Sequence, residues 1–113
     1  YIEAVDDIRS GDLWEPAMRS ETETGFVPGV RINRYHDFYM KIYQRASANG
    51  YAVEGMDLLL WAFAIAEQNN STPELEAIFE DIRNEVSSNL KKLLREVPLP
   101  DESEMGSEDS EEG

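Results

Sequence analysis

The chain contains no cysteine, which excludes disulfides and thiolate metal sites. It contains a single histidine, His36. No Glu-x-x-His pair and no zinc-finger spacing can be assembled, so the di-iron type of helical bundle is excluded as well. The glycines form no phosphate loop: Gly25-Phe26-Val27-Pro28-Gly29 has neither G-x-G-x-x-G nor a following Lys-Ser/Thr. Lysine is scarce, three against seven arginines. The longest wholly apolar run is nine residues, Leu58 to Ala66, less than half of the ~20 that a helix needs to span a bilayer.

What is abundant is negative charge. Ten basic and 24 acidic residues give a formal charge of -14 over 113 residues. Residues 101–113 hold seven acids and no base, which leaves 17 acids against ten bases in the rest. Such a surface repels nucleic-acid phosphates and anionic membranes and suits a basic partner. The same composition, rich in Asp and Glu and poor in Lys, is that of a salt-adapted, halophilic protein, and on that reading the charge needs no binding function. The N-terminus is polar, with Glu3, Asp6 and Asp7, and shows no signal-peptide pattern. The expected location is cytoplasmic.

The length fits one domain. Within Met56–Ala66 the three Leu and three Ala of the apolar run favour helix over strand, and the sequence predicts a helix over 53–68. A helix apolar on all sides requires cover on all sides, so other helices or a second copy of the chain should surround it. Ile2, Val5 and Ile8 are spaced for a short N-terminal helix over 1–9. Residues 10–30 read as partly irregular, punctuated by Gly11, Pro16, Gly25, Pro28 and Gly29, with a short helix near Asp12–Arg19 that Asp12 would cap. Ile32, Tyr35, Tyr39, Ile42 and Ala46 predict an amphipathic helix over 31–49 that Asn49-Gly50 would stop. Ser71 and Glu74 have capping-box spacing ahead of a third helix over 75–97, with Pro73 suited to its first turn and with Pro98 and Pro100 to end it. The expectation is therefore all-α: three main helices and a short leading one around a central hydrophobic helix (domain 1–97), then a disordered acidic tail (98–113).

Two constellations carry candidate chemistry. Arg31 and His36 form Arg-x4-His, which resembles the Arg-x4–6-His motif of HEPN-type helical ribonucleases. That resemblance covers these two residues only, with Ile32 after the Arg where the family has a polar residue, and with the motif early in the chain. It implies that Arg31 would handle a scissile phosphate and His36 a proton. Secondly, Arg31, Arg34, Lys41 and Arg45 interleave with Tyr35, Phe38, Tyr39 and Tyr43 in the one locally basic segment. If exposed, these aromatics and arginines would make a protein interface, to which Trp14 and Phe26 of the preceding loop would contribute. The acid groups Asp6/Asp7, Glu54/Asp57 and Glu74/Glu76/Glu80 read as solvated surface, and the sequence calls for no metal and no cofactor. The leading expectation is a non-enzymatic protein-interaction or regulatory module that self-associates as a homo-oligomer. Beside it stand the Arg31/His36 ribonuclease and an acidic nucleic-acid mimic. A protein partner, basic if charge selects it, is expected; a membrane or nucleic acid is not.

Overall fold

The computed structural model describes residues 1–23 and 25–101; the acidic stretch 102–113 lies outside them. The fold is α/β, not all-α and not a helical bundle. Strands β1 (Ile2–Val5), β2 (Trp14–Glu21) and β3 (Gly25–Asn33) form a sheet in the order β1-β3-β2. β3 runs parallel to β1 and antiparallel to β2, with Ile2 opposite Val30 and Trp14 opposite Ile32. A π-helical turn, Tyr39–Tyr43, leads to the two long helices, α1 (Gly50–Gln68) and α2 (Pro73–Leu93).

Five expectations give way here. The predicted helix over 1–9 is β1, because Ile2–Val5 finds a partner in Val30–Asn33; three-residue spacing of apolar residues over one or two turns is too short a record to fix a helix. The predicted irregular stretch over 10–30, with its short Asp12 helix, is mostly the β2–β3 pair. Prolines argue against strands only where both edges must donate hydrogen bonds. β2 is an edge strand, and β1 joins β3 only from Val30 onward, so Pro28 lies beyond that second ladder.

The predicted helix over 31–49 is split. Ile32 belongs to β3, and only the five residues Tyr39–Tyr43 form the π-turn, in which the Gln44 amide reaches back to the Tyr39 carbonyl at 3.1 Å. Asn49 is the cap of the next helix, not the end of this one: its side-chain oxygen accepts from the Ala52 amide at 3.1 Å. Asn and Gly serve at either end of a helix, so that pair alone cannot give the direction. The capping box also shifts by one: Thr72, not Ser71, accepts from the Leu75 amide at 3.3 Å, with Pro73 opening the helix. The central and final helices stand close to where composition placed them.

The core lies between one face of the sheet and α1. Trp14, Val30 and Ile32 point inward from β2 and β3 and meet Leu60 and Ala64 of α1, with Leu13 and Tyr43 completing the cluster. On the outer face Arg31 stands between Glu3 and Glu15 in register and forms ion pairs with Glu15 and Asp7. α2 is fastened by polar contacts more than by packing. The buried Ser87 hydroxyl accepts from the Leu13 amide at 2.8 Å. Arg83 pairs with Glu67 at 3.1 Å and Asp12 at 3.5 Å. With its amide nitrogen turned toward Asp12, Asn84 donates to both carboxylate oxygens at 2.8 and 2.6 Å. Burial pushes Asp12 and Glu67 above the usual carboxylate range, and the Arg83 charge counters that only in part.

Candidate interaction surface

The aromatic and Arg-bearing residues singled out by the sequence do not share a surface. Trp14 is buried in the core, and so is Tyr43, whose hydroxyl donates to Asp57 at 3.0 Å. Phe38 and Tyr39 are half-buried against that core, Tyr39 stacked on Tyr43 with centroids 5.0 Å apart. Arg31 is half-buried between its two acids. Phe26, Arg34 and Tyr35 are exposed, but Phe26 begins β3 whereas Arg34 and Tyr35 follow its end. A nine-residue strand puts those ends roughly 27 Å apart. Arg34 is itself held in a two-pronged pair with Asp6 at 2.7 and 2.8 Å.

His36 is 1% exposed. Its Nε2 lies 2.9 Å from the Ser87 carbonyl, which can only accept, and its Nδ1 takes the Phe38 amide at 3.0 Å. Those partners fix a neutral ring protonated on Nε2. Burial pushes its pKa below the usual histidine value, against the opposing pull of the Ser87 carbonyl. A general acid–base role requires a histidine within reach of substrate. Here both ring nitrogens are engaged inside the protein, and the neighbouring Arg31 is occupied by carboxylates.

The surface that does stand out lies on α1. Its inner side carries Val53, Met56, Leu60, Trp61 and Ala64 onto the core. Its outer side carries Tyr51, Ala52, Gly55, Leu58, Leu59, Ala62, Phe63 and Ala66, all exposed. At 3.6 residues per turn these eight occupy one arc of about 140°. None of them is charged. Tyr51 is 88%, Leu59 59%, Leu58 50% and Phe63 46% exposed. Scattered exposed leucines are ordinary, but a contiguous uncharged face is not. α2 also exposes Ile78, Ile82 and Val86 on one flank. The two helices scarcely pack together, which is why each keeps an apolar side in the open.

α1 is held rigidly enough to present this face. Asn49 caps its start, Glu67 is tied to Arg83, and the Gln68 side-chain amide donates to the Ala17 carbonyl of β2 at 2.6 Å. The sequence flagged the apolar run but assigned it to the core. Residue size does not separate the two sides: Ala52, Gly55, Ala62 and Ala66 face outward, whereas Ala64 is fully buried.

Among the described residues no group of three or more His, Asp or Glu could hold a metal ion, and no helix is long and apolar enough to cross a membrane. The chain matches no family model, no curated protein and no solved structure.

Proposed function

We propose that this chain is a non-enzymatic protein-interaction module that works by self-association. The observation that supports this reading is the exposed, uncharged arc of α1, set on a helix whose opposite side packs on the core and whose C-terminal end is tied to Arg83 and Ala17. Burying apolar surface is the main favourable term in association, and an interface centre is depleted in charge; this arc meets both conditions. The residues expected from sequence to line an interface are largely committed to the core or to local ion pairs, so the seam moves from the Arg-bearing segment to α1. The acidity then plays a secondary part: like-charged copies repel, and salt relieves that repulsion.

The test is molar mass by light scattering at low salt and at molar salt, on the full chain. A dimer is expected at both, with association tighter in molar salt. A folded monomer at both, across micromolar to millimolar concentrations, refutes the reading. An assembly that forms only with added basic protein and dissolves in salt would mean that charge, and not the α1 face, drives binding.

A further inference from the structure

Resting on the self-association reading, the structure of α1 also carries its geometry. We infer that two copies pair through α1 in antiparallel fashion about a two-fold axis at Leu59. The outward residues Ala52, Gly55, Leu59, Phe63 and Ala66 are separated by three, four, four and three positions. That spacing is a palindrome centred on Leu59. A two-fold interface sets the same patch against itself, so residue i meets j and j meets i. With Leu59 on the axis, Phe63 of each copy falls opposite Gly55 of the other, and Ala52 falls opposite Ala66. The largest side chain therefore faces the residue with none. Nothing within 4 Å would obstruct a Cβ at Gly55, so the space beside it is open to a neighbour's ring. A parallel pairing would set Phe63 against Phe63 and Gly55 against Gly55, ring on ring and gap on gap, which close packing disfavours.

The four large outward side chains, Tyr51, Leu58, Leu59 and Phe63, expose on the order of 500 Å² between them, the greater part of the ~800 Å² per partner of a standard interface. The acids nearest the seam on α1, Glu54 and Glu67, each lie about 40° outside the arc, and Glu67 is already paired with Arg83, so pairing through the arc does not set them at its centre. A second copy is favoured over a basic partner because a basic partner would need carboxylates within the contact, and the arc has none.

Because the chain has no cysteine, single cysteines report the geometry directly. Helix axes packed 8–10 Å apart bring facing Cα atoms to roughly 4–5 Å, within disulfide range. Leu59→Cys is expected to oxidise to a cross-linked dimer. A mixture of Gly55→Cys and Phe63→Cys is expected to cross-link between the two variants, and neither with itself. Leu59→Asp is expected to weaken association by roughly 100-fold or more, since it sets two charges together at the centre of the seam, with helix content unchanged by circular dichroism. If the unaltered chain is a dimer but Leu59→Cys does not cross-link, or Gly55→Cys joins itself, the Leu59-centred pairing is wrong and self-association stands by another seam. If the unaltered chain is a monomer, both readings fall together.

Discussion

The sharpest stability prediction concerns His36, the residue that the sequence offered as a catalyst. His36→Ala removes the Nε2 hydrogen bond to the Ser87 carbonyl and the acceptor of the Phe38 amide. Each bond contributes about 1 kcal/mol net, and the amide left without a partner adds a desolvation cost. The vacated imidazole space adds roughly 1 kcal/mol more. The expected loss is about 3 kcal/mol, or ~10–20 °C in melting temperature for a domain of this size. The pH dependence carries a second signature. Because burial holds the folded pKa below the unfolded value, the unfolded chain binds the proton more readily. His36 therefore contributes stability above about pH 6.5 that is lost as pH falls through the unfolded value toward the folded one. His36→Gln, which can donate to Ser87 but does not titrate, should flatten that part of the profile. The assay is urea unfolding followed by the fluorescence of Trp14 and Trp61 between pH 5 and 8, at fixed protein concentration because dimerisation couples to stability. A loss below about 1 kcal/mol for His36→Ala, or an unchanged pH slope for His36→Gln, would refute the structural role.

Other outcomes follow from the α2 fastening. Arg83→Met leaves the buried carboxylates of Asp12 and Glu67 without their cation and should cost about 3–5 kcal/mol; adding Glu67→Leu to it should restore part of that loss, and a double variant no more stable than the single one would contradict the pairing. Glu67 is pushed above its ordinary value by burial, so the folded state holds its proton where the unfolded state has lost it. That contribution is present below the unfolded value and is lost as pH rises through the folded one. Glu67→Gln should therefore make stability less dependent on pH in the weakly acidic range, opposite in sense to the His36 effect, and a steeper fall with rising pH would count against it.

The two long helices were legible because local chemistry agrees with tertiary context there. Leu and Ala fill α1, Pro73 opens α2, and Lys91 and Lys92 close it in the last turn, where cations favour the helix dipole. The sheet was hidden because its evidence is non-local. Val30 and Ile32 become core residues only when Trp14 and Ile2 arrive beside them from distant parts of the chain. The aromatic stripe at Tyr35, Phe38, Tyr39 and Tyr43 misled for a related reason. Helical spacing over four side chains was real for Tyr39–Tyr43, but Ile32, which seemed to extend it, faces the core from a strand.

By itself, the sequence determined the absence of thiol chemistry, the two long helices and the uncharged run at the heart of α1, since each depends on composition or on neighbours a few residues away. Only the tertiary structure decided that the chain has a sheet, that His36 is locked between Ser87 and Phe38, and which side of α1 is left facing outward. Those properties depend on distant residues meeting in space, Ile2 with Val30 and His36 with Ser87, 51 positions on, and a helix that is apolar all round carries no local mark of the side that the sheet will cover.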